Sequence, residues 1–195
     1  MKKYPIIEIF DSIQGEGCHL GKTATFVRFA GCNLNCPWCD TEWRKAKEML
    51  TIDEIISRIN FDMSMVVFTG GEPMLQELEP ILEAVQAKKF RHVMAIETNG
   101  TIDTYELQTK FKSLWVTCSP KPENMWHYVC CPNELKYVID GEIKCEDIPN
   151  KTNCPVWLQP QGYEMQKSWQ KCFEFAMKNP SWRVGVQLHK IMEVR

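Results

Sequence analysis

Thr23-Ala24-Thr25-Phe26-Val27-Arg28-Phe29 runs through Ala30-Gly31 into Cys32-Asn33-Leu34-Asn35-Cys36-Pro37-Trp38-Cys39. The first half, rich in β-branched and aromatic residues, reads as a strand, and the second as a loop carrying three cysteines spaced Cys-x3-Cys-x2-Cys. A reactive loop at the C-terminal end of a strand is where barrel-like α/β enzymes place their sites. Three close thiolates suit a four-iron cluster, which four cysteines ordinarily hold, and leave one iron open to a small molecule. Zinc also takes cysteine sulfur, but its sites usually pair two short hooks across a longer loop, and no second hook of that spacing follows.

The rest of the chain alternates in the same manner. Strands are expected at residues 6–10, 65–68, 92–97, 113–118, 134–139, 155–159 and 182–188. Thr51-Ile52-Asp53-Glu54 is a capping box opening a helix to about Asn60, and helical periodicity covers residues 77–89 and 167–178. Each strand ends in a loop of small polar residues. The expectation is an α/β fold, a partial TIM-like barrel of about six mostly parallel strands with fewer helices than strands, because connections are short for a full barrel. No internal repeat or linker divides the chain, so residues 1–195 read as one domain.

Composition narrows the function classes. The chain has 195 residues, 44% of them hydrophobic, enough for one sizeable core. A formal charge of −2 without a long basic run argues against a nucleic-acid stripe or a polybasic membrane anchor. No apolar stretch approaches the roughly 18 residues of a membrane span, and no signal-peptide core follows Met1-Lys2-Lys3, so a cytoplasmic location is expected. Ten cysteines then imply reduced thiols. The seven outside the loop, Cys18, Cys118, Cys130, Cys131, Cys145, Cys154 and Cys172, repeat no ligand spacing and read as small buried hydrophobes.

After the apolar run 65–68 comes Thr69-Gly70-Gly71-Glu72-Pro73. With the cysteine loop, this turn resembles the radical S-adenosylmethionine superfamily, where such a turn is expected to hold the cofactor's methionine ammonium. Glycines let backbone carbonyls approach that ammonium where a Cβ would obstruct them. The motif set extends to Ile13-Gln14-Gly15-Glu16-Gly17, Asp40-Thr41, Glu97-Thr98-Asn99-Gly100-Thr101, Ser119-Pro120-Lys121, Asn133-Glu134-Leu135-Lys136 and Gln187-Leu188-His189-Lys190. In that order, over residues 6–195, it is similar to the 7-carboxy-7-deazaguanine synthase family, whose radical lyases serve queuosine biosynthesis.

The resemblance implies conversion of 6-carboxy-5,6,7,8-tetrahydropterin to 7-carboxy-7-deazaguanine with loss of ammonia, using a four-iron cluster, S-adenosylmethionine and magnesium. A 5′-deoxyadenosyl radical would take hydrogen from the pterin C6 and return it after rearrangement, with no protein acid or base assigned. Cys32, Cys36 and Cys39 would hold the cluster and Thr41 the magnesium, although a lone threonine is also a common turn cap. Cofactor contacts carried over are Trp38, Cys39, Asp40, Gly71, Glu97 for the ribose, Ser119, Pro120, Lys121, Gln159, Pro160, Gln161 and Gly162. Trp38 could equally be a core aromatic and Glu97 a solvated strand end.

Substrate contacts carried over are Ile13, Gln14, Gly15, Thr69, Arg28 and Arg195. Arg28 suits the pterin carboxylate because its fork forms two parallel charge-assisted hydrogen bonds, with a surface ion pair as the competing reading. Relatives of this kind close the pocket with the C-terminal residue, some with proline; here that residue is Arg195. His189 reads as packing in the last strand or as a proton carrier. A homodimer and an external electron donor such as flavodoxin are also implied. Competing functions are a glycyl-radical-enzyme activator, an iron-sulfur electron carrier and a zinc interaction module.

Overall fold

A computed structural model describes residues 1–140, 142–149, 152–162 and 165–195. Its nine strands are β1 (Tyr4–Ile13), β2 (Thr23–Phe29), β3 (Glu48–Leu50), β4 (Met65–Gly70), β5 (Val93–Thr98), β6 (Leu114–Cys118), β7 (Glu134–Ile139), β8 (Val156–Pro160) and β9 (Trp182–Val184). They form one sheet in the order β3-β1-β2-β4-β5-β6-β7-β8-β9. Only β1 and β3 run antiparallel to their neighbours; from β2 to β9 every pairing is parallel. The sheet has free edges at β3 and β9, so the barrel is open.

The strand count exceeds the expected six because three strands flank the six parallel ones: antiparallel β1, short β3 through three pairs to β1, and short β9 through three pairs to β8. Five α-helices are described: α1 (Ile52–Arg58), α2 (Glu79–Ala87), α3 (Tyr105–Lys110), α4 (Met165–Lys178) and α5 (Leu188–Ile191). The capping box of α1 is present: Glu54 N donates to Thr51 Oγ1 at 3.3 Å and Thr51 N to Glu54 Oε2 at 2.7 Å. Such a cap contributes about 1 kcal/mol. None of the described helices is long and apolar enough to cross a membrane.

The strands sort their residues by the period-two rule. Val27, Phe29, Val66, Phe68, Met94, Ile96, Val116, Leu135, Tyr137 and Leu158 face the outer core, where Ile55, Ile81, Leu82 and Val85 of α1 and α2 cover them. The alternate positions face inward, and there Ala24, Phe26, Met65, Val67 and Ala95 make a second, smaller core with Phe10, Val93 and Trp115. This second cluster lies toward the N-terminal ends of the parallel strands and forms a floor. At the C-terminal ends the inward residues become polar: Arg28 pairs in register with Thr69, and Glu97 with Thr117.

The last expected strand, residues 182–188, stops at Val184. Gly185 still donates to Leu158 O at 2.8 Å, but the chain then turns into α5, and Leu188 N reaches Gly15 O at 2.9 Å. The C-terminal segment thus crosses from the last strand to the loop after the first, over the open side of the barrel.

Candidate active site

The polar inward residues line a cavity of about 280 Å³ at the C-terminal ends of the strands. Its wall includes Cys32, Cys36 and Cys39, Trp38, Asp40, Thr41, Gly71, Glu97, Ser119, Lys121 and residues 159–162. Ile13, Gln14, Gly15, Arg28, Thr69 and Arg195 line it too. Of the carried-over residues, Pro120 alone is absent from this wall, and it is buried. Lys121 has extended backbone (φ −121°, ψ 145°), so Ser119 and Lys121 face the cavity while the proline between them turns away.

The cysteine loop is fixed at both ends. Ala30 N donates to Pro5 O at 2.9 Å and Gly31 N to Trp43 O at 2.8 Å, with Gly31 at φ 92°. A tight turn brings Cys39 N to Cys36 O at 3.2 Å. Asn33 is clamped by the loop after β5, accepting from Asn99 Nδ2 at 2.9 Å and donating to Thr101 Oγ1 at 2.7 Å. Burial raises the Cys32 thiol pKa and pushes Cys36 up to about 12, Glu123 adding to the latter. Burial thus disfavours both thiolates, and a bound metal would favour them.

Among the described residues no three His, Cys, Asp or Glu side chains converge as one metal ion requires. The three cysteines of one loop line one cavity, the donor set that a four-iron cluster with one open iron takes. The remaining cysteines show no such arrangement. Cys130 is buried and Cys131 exposed, so the adjacent pair points apart, and Cys118 is held as a thiol by its hydrogen bond to Cys130 and by burial.

The glycine turn packs against this loop. A Cβ on Gly71 would lie 2.0 Å from Gly31 O, and Gly71 N and Glu72 N donate to Phe29 O and Gly31 O at 3.0 and 2.8 Å. Gly71 is thus needed for the approach of one backbone to another. Glu72 is fully buried and outside the cavity wall, accepting from Thr98 Oγ1 (2.8 Å), Asn99 N (2.7 Å) and Met74 N (2.9 Å). It pins the loop after β5 beneath the cysteines.

On one flank, Lys121 Nζ donates to Ser119 Oγ at 2.6 Å and lies 5.4 Å from the Trp38 ring centroid. Burial and the nearby Lys136 lower the Lys121 pKa, although thiols and Glu16 oppose them. Gln159 Oε1 is buried and meets no donor among the described residues. On the other flank, Arg28 Nε donates to Glu8 Oε1 at 3.0 Å and Nη1 to Thr41 Oγ1 at 3.2 Å. Arg28 thus forms a half-buried ion pair rather than a surface one, and it also lines the cavity.

Glu97 accepts from Gln14 Nε2 and Thr69 Oγ1, each at 3.0 Å. Burial pushes its carboxyl up, but Lys136, these two donors and Arg28 outweigh it and hold the pKa below the ordinary value. Asp40 accepts from Lys190 Nζ at 2.9 Å. His189 is not in a strand; it sits in α5 with its ring against Gly15, where a Cβ would fall 2.0 Å from Nδ1. Burial lowers its pKa.

Charged and polar cavity residues given no role in the sequence reading include Glu16, Lys136, Gln187 and Lys190. Lys136 carried a usable signal, a lysine in an otherwise apolar strand interior. Its partner Glu16 lies 120 positions away, which no local pattern connects.

The radical SAM superfamily model matches residues 26–117, from β2 through the cysteine loop to β6. Fold, three-cysteine loop and cavity together define a radical S-adenosylmethionine enzyme, a class that uses a four-iron cluster with that cofactor, and the cysteine arrangement fits it. The 7-carboxy-7-deazaguanine synthases of Bacteroides thetaiotaomicron and Synechocystis sp. are 36% and 34% identical, covering 97% and 98% of this chain and 98% and 94% of theirs. The crystal structure of QueE from Escherichia coli superposes with a TM-score of 0.73 at 26% identity, covering 96% of this chain and 95% of that one. The chain belongs to the 7-carboxy-7-deazaguanine synthase family.

Proposed function

We propose that the protein converts 6-carboxy-5,6,7,8-tetrahydropterin to 7-carboxy-7-deazaguanine with loss of ammonia, for queuosine or related deazapurine biosynthesis, its 195 residues acting as one catalytic unit. The observation that carries the reading is one cavity in which the three cysteines share a wall with inward-facing Arg28, Thr69 and Glu97. The cluster and S-adenosylmethionine supply the radical chemistry when bound. The chain binds, orients and excludes water.

Cys32, Cys36 and Cys39 would hold the cluster. Trp38, Gly71, Ser119, Lys121 and residues 159–162 would enclose the cofactor, with Glu97 or the Gln159 acceptor available to its donors. Arg28 is engaged at Nε and Nη1, and its Nη2 has no protein partner among the described residues, so its outer edge can take the pterin carboxylate. Ile13, Gln14 and Gly15 would cover the pterin ring, and Thr69 would stand beside it.

Magnesium would sit at Thr41, beside Asp40, completed by water and substrate oxygen. Exposed Phe173 and Met177, one turn apart on α4, support a homodimer contact, and exposed Cys39, with exposed Arg44 and Lys45 following it in the chain and Arg44 bound to Asn35 of the cysteine loop, supports approach of an acidic one-electron donor such as flavodoxin. The absence of a spanning helix among the described residues is consistent with a cytoplasmic enzyme.

The test is anaerobic: reconstituted enzyme, S-adenosylmethionine, reductant, magnesium and the pterin, with mass spectrometry for 7-carboxy-7-deazaguanine. Cofactor cleavage without that product would retain the class and remove the substrate.

A further inference from the structure

Lys136 is a cation to which the proposed chemistry gives no task. It stands on β7 between Leu135 and Tyr137, both fully buried in the outer core, while its own side chain points inward and is 11% exposed. Its ammonium pairs with Glu16 Oε2. Glu16 Oε1 accepts from Gln187 Nε2 at 2.7 Å, and the next backbone amide, Leu188 N, donates to Gly15 O at 2.9 Å. The charges of Glu97 and, more weakly, Glu134 also act on Lys136. Gln14 joins the two acids, donating to Glu97 and accepting from Glu16 N at 3.1 Å.

One lysine is therefore paired with Glu16 and acted on by carboxylates from other elements, and the chain of contacts ends on the segment that crosses the open side of the barrel. The segment's other charged ties, Lys190 to Asp40 and Arg195 to Glu8, involve cations 45% and 66% exposed. Ion pairs of that kind contribute little, whereas breaking a buried one leaves a charge uncompensated.

We propose that Lys136 is a positioning residue: by pairing with Glu16 it holds residues 187–195, through Gln187, across the open side of the cavity, and so sets substrate affinity. Use of the cavity for the pterin rests on the function proposed above; the hold on the segment does not.

Hydrogen exchange on the full, ligand-free chain tests the hold directly. In Lys136→Met, amides of α5 should exchange at least about tenfold faster, while those of β4 and β5 keep their protection. In turnover of the pterin, KM should rise at least about tenfold with a smaller fall in kcat. The double variant Lys136→Met/Glu16→Gln removes both charges and should restore protection and most of the affinity, which repair of mere packing would not do.

Gln187→Ala leaves the strand and the ion pair intact and should loosen the same amides, which covers a Lys136→Met chain that fails to fold. Unchanged exchange across α5 in Gln187→Ala, or in a folded Lys136→Met, would overturn the inference. Faster exchange in these variants, with a wild-type protein that never turns over the pterin, would sustain the hold and remove the substrate.

Discussion

The inward faces of the strands carry two unlike regions a single pleat apart. Phe26 and Arg28, Val67 and Thr69, Ala95 and Glu97 are neighbours on the same face of the same strand, yet the first of each pair belongs to the apolar floor and the second to the polar wall of the cavity. Register, twist and backbone hydrogen bonding are shared, so the difference lies in the side chains alone. The floor excludes water and closes the bottom of the barrel. The wall above it has charges that satisfy one another, and on β2, β4 and β5 the polar residue occupies the last inward position of the strand, next to the loops that complete the cavity.

The largest effect should follow from moving the boundary down one step. Val67 is fully buried in the floor, and Val67→Asp would place a carboxylate where Lys136, Gln14 and Arg28 do not reach. A stability loss of at least about 4 kcal/mol is expected by denaturant titration, because an unpaired buried charge is among the costliest single changes. A folded Val67→Asp protein near wild-type stability would show that the floor is wet and erase the contrast.

Arg28→Lys attacks the wall. Lysine keeps the charge but loses the planar fork that reaches Glu8 and Thr41 while offering its outer edge to a carboxylate. We expect kcat/KM for the pterin to fall by about 2–5 kcal/mol in activation terms, with cluster content and thermal midpoint little changed. Equal losses of stability and activity would instead make Arg28 part of the structural frame.

Glu97→Gln sharpens the comparison through pH. The folded-state pKa of Glu97 is lowered, so its ionised form is favoured by folding: the stabilisation is complete above the ordinary glutamate range and is lost as pH falls through the lowered value. At neutral pH the substitution should cost about 1.5–3 kcal/mol, since Gln14 and Thr69 donate to a charge. The two proteins should converge in stability under acid. A gap constant down to about pH 3, well below the reference carboxylate range, would mean that the carboxylate is not held ionised.

The boundary between floor and wall was partly readable from the sequence. Strands β2, β4, β5, β6, β7 and β8 follow from their apolar runs, and the cavity residues lie where those runs meet small polar loops. Edge strand β3 has three residues, two of them exposed, and α3 buries no residue at all, so neither carries a pattern to detect. The residues 182–188 read as one strand because nothing local shows that Gln187 turns toward Glu16 and that His189 packs on Gly15. The motif reads Gly71 as room for the cofactor, and it lines the cavity; that a Cβ there would also meet the Gly31 carbonyl, about forty positions away, is a contact no local pattern shows. Long-range charge and backbone proximity are what the sequence leaves out.

The smallest effect is expected at the rim, where Arg195 extends the wall beyond the sheet. Its guanidinium lies 5.3 Å from the Phe10 ring centroid and 2.7 Å from Glu8 Oε2, while Arg28 holds the other oxygen of the same carboxylate. Two thirds of the Arg195 side chain is exposed, so Arg195→Ala should cost at most about 1 kcal/mol and less at high salt. Its backbone oxygen, however, accepts from the Ser12 hydroxyl, a contact that any side chain preserves. Removal of residues 194–195 should therefore raise KM for the pterin more than Arg195→Ala does. If the alanine variant equals the truncation, the guanidinium itself closes the cavity, and the polar wall reaches one residue further than the strands that build it.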